Sequence, residues 1–313
     1  MALKNRIKIW PFWDDISPSL IPYYDGTINF NKPIFIDFSE VKNCSSSGAS
    51  IIVTKLIKII SKHTDKLWKI HFGENLYFEK LFTEIGALNI LENHFLNKDL
   101  FWERIEFDPI IVEEEANNIR RISLPIFTLK YNRENKRESV ENFINWLIQN
   151  FYNYCKNSSL RFDVFAKMLK EIAKNSCDHT DSDSFFGIDL ITQKDKLDYL
   201  VFTFTDLGIG IHETVKRYKE KIGEDWSKKG IVDSYHFAFQ PGNSTGNEMN
   251  KGIGMSMIHE CTNILDLNLC IFDANSVGIV PPEITHSIIR DNFFNTGTSV
   301  GFNYFGKIYF KEK

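Results

Sequence analysis

The sequence predicts a mixed α/β protein of two domains. The chain has 313 residues, which exceeds the usual size of one domain, about 100–200 residues. Strand and helix patterns alternate in its first third, whereas helices followed by alternating polar and apolar strands fill the rest. Hydrophobic residues make up 43% and charged residues 25%, which is typical of a globular protein with a sizeable core.

The first domain begins with a strand, a turn and a helix. Residues 33–38 form a short apolar run that predicts a buried strand. A serine-rich turn over residues 44–48 follows, and residues 49–63 then carry apolar side chains at helical spacing. This order is a βα unit, which favours an α/β arrangement of the first third of the chain.

A second pair of elements continues the pattern. Residues 69–72 predict a strand and residues 75–85 a helix, and Gly86 is placed to end that helix as a C-cap. Acidic residues then become frequent, which is typical of a solvated connection. We therefore expect a first domain over residues 1–105 and a linker over residues 106–119.

The second domain is expected over residues 120–313. Its apolar patterns predict, in order, a strand at 122–131, helices at 140–154 and 161–177, and strands at 185–192, 199–205, 267–272 and 299–305. Residues 213–250 lack a regular apolar pattern, so we expect a long loop there, and loops of that length often act as lids.

Composition excludes several classes of protein. The formal net charge of −4 gives no basic field that would favour nucleic acid or an anionic membrane as a partner. We find no signal peptide and no run of about eighteen apolar residues, so we expect a cytoplasmic protein. The five cysteines are odd in number and form no CxxC pair, which predicts free thiols rather than disulfides or a zinc site.

One helix face carries the most chemistry. Glu171, Asn175 and Asp178 are spaced i, i+4 and i+7, so they project from the same side of a helix. Such a stripe is common on the solvated side of an amphipathic helix. It can also accept a proton, hold a divalent cation and orient water, because it combines two carboxylates with an amide.

Two glycine motifs follow downstream. Asp206 ends an apolar strand and is followed by Gly208 and Gly210. The carboxylate can accept a hydrogen bond from an exocyclic amine such as that of adenine. The glycines allow the backbone to approach a flat ring. Gly252 and Gly254 open a helical run, where free amide N–H groups favour phosphate. Each motif taken alone is also typical of a tight turn.

The order of these motifs, with a final Gly-Thr pair at residues 297–298, resembles the GHKL family of ATP-binding domains. That family includes gyrase-type topoisomerases, histidine kinases, MutL-type proteins and serine anti-sigma kinases. The resemblance covers about residues 120–313 and implies a GHKL, or Bergerat, α/β sandwich: helices on a mainly antiparallel sheet, with an ATP lid.

The resemblance implies ATP and Mg²⁺ as cofactors. Glu171 would be the general base, Asn175 would bind Mg²⁺, and Asp206 would contact adenine. The remaining residues implied in cofactor binding are Asp178, Gly208, Gly210, Lys251, Gly252, Gly254 and Thr298. Because a glutamate stands four residues before the asparagine, the motif is most similar to the serine-kinase anti-sigma branch, whose members are serine protein kinases.

The serine-rich turn carries a second resemblance. Ser46, Ser47 and Gly48 after a strand are similar to the signature of STAS domains, the anti-sigma-factor antagonists, over roughly residues 30–95. That resemblance makes Ser47 the implied phosphoacceptor, although Ser45 stands where the family has an acidic residue. The same serines can cap the helix that follows, and capping and phosphorylation are compatible.

Three functions remain open on the sequence. The first is a regulatory ATPase or serine protein kinase coupled to the STAS-like domain. The second is a non-catalytic, ATP-gated module that controls a partner, and the third is a dimerising ATP clamp. We expect a protein partner, either a regulator or a STAS or sigma-like protein, with a homodimer as a further option and with no nucleic acid or membrane.

Overall fold

A computed structural model provides the structure of the chain. It describes residues 6–12, 19–24, 29, 31–41, 44–61, 67–74, 76–95, 110–114, 119–155, 159–180, 182–193, 199–243, 254–273, 276–280, 285–287 and 303–309. The fold is mixed α/β, as the sequence predicts, with both parallel and antiparallel strand pairs. Within these ranges, no helix has the length and apolarity needed to span a membrane.

The chain forms two compact units that differ in part from the predicted domains. The first unit contains Met1–Ile126 together with Phe186–Lys194, and the second contains Phe127–Phe185 together with Asp195–Lys313. The boundaries predicted near residues 105 and 120 therefore remain a prediction. Two segments of the predicted second domain, residues 120–126 and 186–194, belong to the first unit. The two units are described separately below.

The first unit contains the βα elements that the sequence predicts. In chain order they are β1 (Arg6–Phe12), β2 (Ser19–Tyr24), β3 (Ile34–Asp37), α1 (Ser46–Ser61), β4 (Trp68–His71), α2 (Leu76–Glu84) and α3 (Ala87–Phe95). The four strands form one sheet in the order β2-β1-β3-β4. β3 pairs in parallel with both β1 and β4, and α1 is the crossover helix between β3 and β4.

The core of this unit forms around α1 and a cluster of aromatic rings. α1 is buried along nearly its whole length, which explains why its sequence is apolar rather than strongly amphipathic. Phe38 packs against Phe78 and Phe82 with ring centroids 5.5 and 5.0 Å apart. Gly86 has a φ of +80°, so the predicted C-cap after α2 is confirmed.

Three further strands belong to the first unit. They are β5 (Ile110–Glu114), β6 (Ile119–Ser123) and most of β8 (Ser184–Gln193). β6 pairs with both of the others in antiparallel fashion, and its Ser123 stands opposite Asp189 of β8. The segment expected to be a linker therefore contains a strand, because the apolar run before its acidic residues supplies strand-forming side chains.

The second unit contains the remaining elements. In chain order they are β7 (Phe127–Leu129), α4 (Lys136–Cys155), α5 (Phe162–His179), β9 (Tyr199–Asp206), α6 (Ile211–Lys221), α7 (Ile231–Phe239), α8 (Gly254–Leu265), β10 (Asn268–Asp273), β11 (Ser276–Val280), β12 (Thr285–Ser287) and β13 (Asn303–Tyr309). The strands β9, β13, β10, β11 and β12 are neighbours in that order, and every pair is antiparallel.

Aromatic side chains join the helices of this unit to its sheet. Phe165 of α5 contacts Phe202 of β9 edge-on, with centroids 5.3 Å apart. Phe143 of α4 meets Phe204 of the same strand at 5.7 Å. All four rings are fully buried. Helices α4 and α8 pack on either side of α5, which fixes the polar face of α5 relative to the start of α8.

The expectation of a long loop over residues 213–250 is wrong for much of that range. α6 extends to residue 221 and α7 covers residues 231–239, and the two helices pack together. Residues 244–250 of the expected loop lie outside the described part of the chain. α6 buries only Ile211 and Val215, so its apolar pattern is too sparse to be recognised along the sequence.

Candidate functional site

The predicted polar helix face lies on α5. The buried side of α5 is lined by Phe165, Leu169, Ile172 and Ala173, whose helical spacing turns the opposite side outward. Glu171, Asn175 and Asp178 lie on that polar side, and each is only partly exposed. The helix and its polar face are therefore confirmed as predicted.

Gly254, the first residue of α8, packs directly against this face. A Cβ placed on Gly254 would overlap Oε1 of Glu171 and would lie 3.3 Å from Oδ1 of Asn175. The next residue, Met255, accepts a contact from the amide of Asn175, with 3.7 Å between Nδ2 and Sδ. A side chain at position 254 would therefore displace the carboxylate of Glu171, which occupies the space beside this glycine.

The Asp206 turn forms the second half of the candidate site. Asp206 is the last residue of β9 and is fully buried. Its Oδ1 accepts a hydrogen bond of 2.8 Å from the backbone N–H of Gly208. Such a local bond fixes the turn and holds the carboxylate at the end of the strand.

Both glycines of this turn are required by their surroundings. A Cβ on Gly208 would lie 2.7 Å from Cγ2 of Thr180. Gly210 has a φ of +85° and stands at the N-terminus of α6, a conformation that favours glycine. Because Thr180 follows the last turn of α5, the Asp206 turn packs against the end of the helix that carries Asn175. Thr180 lies five positions after Asn175, a rise of about 7–8 Å along the helix axis.

Charged neighbours set the electrostatics of the helix face. Lys174 lies 3.7 Å from Glu171, and Lys136 of α4 lies 3.7 Å from Asp178. Burial lowers the pKa of His179, and Lys136 and Lys174 lower it further against the opposing charge of Asp178. His179 is therefore neutral at neutral pH and offers a hydrogen bond rather than a positive charge.

Cysteines of the described chain are not candidates for nucleophiles. Cys44, Cys155, Cys177 and Cys261 are buried thiols that form no disulfide, in agreement with the prediction of thiols rather than disulfides. Burial raises the pKa of Cys177 to about 11, so its thiol is protonated beside the candidate site. Within the described ranges, no cluster of three or more His, Cys, Asp or Glu residues could hold a metal ion. A cation at Asn175 would need further ligands from a bound molecule.

Three of the predicted cofactor-binding residues lie outside the described residues. They are Lys251, Gly252 and Thr298. Of the others, Gly254 contacts Glu171 and Asn175 directly, whereas Gly208 joins Asp206 to the end of α5. Asp178 lies on the same face of α5, one turn beyond Asn175.

The serine turn belongs to the first unit and is buried. Ser45 caps α1, because its Oγ accepts a 3.0 Å hydrogen bond from the N–H of Gly48. The predicted capping role is therefore confirmed. Ser47, the implied phosphoacceptor, has no exposed surface, and its hydroxyl donates to Asp189 of β8.

Asp189 is the centre of a buried polar cluster at the start of α1. Its two oxygens accept hydrogen bonds of 2.9 Å from the N–H groups of Ser46 and Ser47. They also accept bonds from the hydroxyls of Ser47 and Ser123. A carboxylate at a helix N-terminus is electrostatically favourable, so Asp189 holds the anion position that a phosphate on Ser47 would need.

Two further residues of the first unit, Gly187 and Arg121, are described with this cluster because of their positions on β8 and β6. A Cβ on Gly187 would overlap the carbonyl oxygen of Ser46 and lie 2.8 Å from Cα of Ser47, so β8 meets α1 backbone to backbone. Arg121 is 7% exposed, and its Nε and Nη1 have no hydrogen-bond partner in the described chain. Arg121 precedes Ser123 by two residues on β6, so both side chains leave the same face of the sheet.

Several residues of these two sites were not recognised from sequence. Thr180 and Met255 directly adjoin predicted motifs, and this position is the only feature of the sequence that could identify them as site residues. Asp189 lies 142 residues from Ser47 along the chain, and nothing local in its strand distinguishes it from a solvent-facing carboxylate.

No protein-family model matches the chain, and no match is found among curated proteins.

Proposed function

We propose that the chain is an ATP-binding regulatory protein of the GHKL class, in which Glu171 activates water or a serine hydroxyl toward the γ-phosphate of ATP. The segment before residue 106 is proposed to be a STAS-like domain that contacts a protein partner. The observation that supports the proposal is the packing of Gly254 against Glu171 and Asn175, which brings together two motifs about 80 residues apart in sequence.

The residues of the second unit suit a purine nucleotide. Asp206 supplies a buried carboxylate that can accept a hydrogen bond from an exocyclic amine. Gly210 adds no side chain to the backbone beside it, so a flat ring can approach there, whereas Thr180 fills the space at Gly208. The N-terminus of α8 at Gly254 supplies N–H groups and a dipole that favour phosphate.

Asn175 is the proposed ligand for Mg²⁺. Mg²⁺ is commonly held by one or two protein oxygens together with substrate phosphates and water, which agrees with the small number of oxygen donors here. When bound, the ion would neutralise charge on the phosphates. The part of Asn175 is to hold the ion at the start of α8, beside Glu171.

Glu171 is the proposed general base. Its side chain is 13% exposed, so its carboxylate is largely shielded from water yet still open on one side. Lys174 lies 3.7 Å from it. The role of Glu171 is to accept the proton of the attacking hydroxyl or water.

A second function, ATP-dependent control of a partner without phosphate transfer, is favoured by the burial of Ser47. In the described arrangement its hydroxyl is covered and bonded to Asp189, so no kinase could reach it unless the turn opened. Any serine that Glu171 activates would then belong to another protein, or the acceptor would be water.

Incubation with MgATP labelled in the γ-phosphate tests the proposal and separates these functions. We expect either labelled inorganic phosphate or a labelled serine on a partner, with no label on Ser47 of the intact fold. Tight binding of ATP without release or transfer of label would favour the non-catalytic function. An absence of both binding and turnover would contradict the proposal.

A further inference from the structure

A groove of about 690 Å³ lies along α4 and α5 in the second unit and has not been assigned a role. Its basic lining residues are Lys136, Arg137, Lys167, Lys170 and Lys174. Its acidic lining residues are Glu141, Glu171 and Asp178. The volume lies within the range of clefts that bind small ligands or short segments of a partner.

The charges of the groove do not cancel. Each of the acidic residues has a basic neighbour: Glu141 lies 2.7 Å from Arg137, Glu171 lies 3.7 Å from Lys174, and Asp178 lies 3.7 Å from Lys136. Lys167 and Lys170 remain, and in the described part of the chain neither has an acidic side chain within ion-pair distance. The excess positive charge of the groove therefore lies on these two lysines.

The two lysines adjoin the proposed base. Lys167, Lys170 and Glu171 are spaced i, i+3 and i+4 on α5, so they share one face of the helix. Lys170 is next to Glu171 in sequence, and Lys167 lies one turn before it, about 6 Å along the axis.

Glu171 belongs to two environments. Its carboxylate meets Gly254 at the start of α8, where the proposed nucleotide site lies. It also lines the groove, whose lining includes Met257 of α8 but neither Asn175, Asp206 nor Gly254. A base that receives a proton from an acceptor must face the acceptor as well as the nucleotide, and the groove is the approach that meets this condition.

We propose that this groove binds an acidic segment of a partner protein and presents a serine hydroxyl of that segment to Glu171. The proposal rests on the proposed ATP-dependent function of the site. Lys167 and Lys170 attract carboxylates of the segment, while the three paired acids of the groove disfavour a continuous polyanion such as a nucleic acid. The formal net charge of −4 also argues against a nucleic acid as occupant.

The transfer step balances with ATP as the donor. The Oγ–H bond of the serine breaks, and its proton passes to the carboxylate of Glu171. A bond forms between that Oγ and the γ-phosphorus, while the bond from this phosphorus to the β–γ bridging oxygen breaks and leaves ADP. The partner gains a phosphoserine next to its acidic residues.

Fluorescence anisotropy with the full chain tests the groove. The probe is a short fluorescein-labelled peptide of alternating Glu and Ser, compared with one of alternating Lys and Ser. We expect the acidic peptide to bind, with an affinity that falls as salt is raised. The double variant K167E/K170E should weaken binding by about tenfold or more, because two attractive contacts become repulsive.

The matched control is K221E/K228E, which makes the same change in net charge at two exposed lysines outside the groove. This control should change the affinity for the peptide by less than about twofold. Equal loss in both double variants, or equal binding of the basic peptide, would overturn the proposal. Because all four lysines are exposed, we expect each variant to unfold at the urea concentration of the wild type.

Titration with MgATP separates failure of the groove from failure of the ATP site. We expect K167E/K170E to bind MgATP as the wild type does. If wild type binds MgATP but not the acidic peptide, the groove proposal fails and the ATP site stands. If ATP displaces the peptide and K167E/K170E loses ATP, the groove holds nucleotide phosphates and the proposal is wrong. If neither ligand binds, both proposals fail.

Discussion

Replacing Asp189 by alanine is expected to reduce the free energy of unfolding by about 3–5 kcal/mol. The carboxylate is fully buried and accepts bonds from two backbone N–H groups of α1 and from the hydroxyls of Ser47 and Ser123. Its removal would leave these donors without an acceptor in the interior.

Urea unfolding followed by circular dichroism measures this change. Glu220→Ala is the matched control, because Glu220 is an exposed acidic residue whose side chain makes no hydrogen bond or ion pair within the described part of the chain, and we expect a change within about 0.5 kcal/mol there. A loss of less than about 1 kcal/mol for Asp189→Ala would mean that the carboxylate does not hold the start of α1 as described.

Replacing Glu171 by glutamine is expected to reduce the turnover of ATP by about 10²–10⁴-fold. Glutamine keeps the size of the side chain but cannot accept a proton, so the affinity for MgATP should stay within about threefold of the wild type. The measurement is release or transfer of γ-phosphate at saturating ATP. Turnover by Glu171→Gln at the rate of the wild type would show that another group serves as the base.

Gly254→Ala is expected to displace the same carboxylate, because Gly254 of α8 packs against Glu171 of α5. The added methyl group would overlap Oε1 of Glu171, which is the flexible end of a side chain, so the carboxylate can move aside at little cost in stability. We therefore expect turnover to fall while the urea midpoint stays close to that of the wild type. Gly187→Ala is the contrasting variant, because its methyl group would meet backbone atoms of Ser46 and Ser47, and it should lower the urea midpoint clearly.

The sequence predicted features that depend on short-range periodicity. The polar face of α5 follows from helical spacing within eight residues, and the βα order of the first unit follows from apolar runs between turn signals. Gly86 was recognised as a C-cap because a glycine directly after a helical pattern has few other roles.

Features that depend on distant residues could not be predicted in the same way. Asp189 accepts hydrogen bonds from the N–H groups at the start of α1. Nothing in the spacing of the sequence connects the strand of Asp189 with the serine turn. The sequence predicts a loop where α6 and α7 form, because these helices are held by contacts between them, such as the 2.9 Å hydrogen bond between His212 and Ser234, rather than by apolar periodicity. The groove also required the packing of α4 beside α5.

Calorimetric titration of the full chain with MgATP, for wild type and for Asn175→Ala, tests the central claim most directly. We expect the wild type to bind MgATP and Asn175→Ala to lose at least about tenfold in affinity, with the affinity for ATP in excess chelator changing much less, since the amide acts through the metal ion. Equal binding of MgATP by both proteins would contradict the assigned role of Asn175. No binding by the wild type would contradict the claim that this face of α5 forms an ATP site.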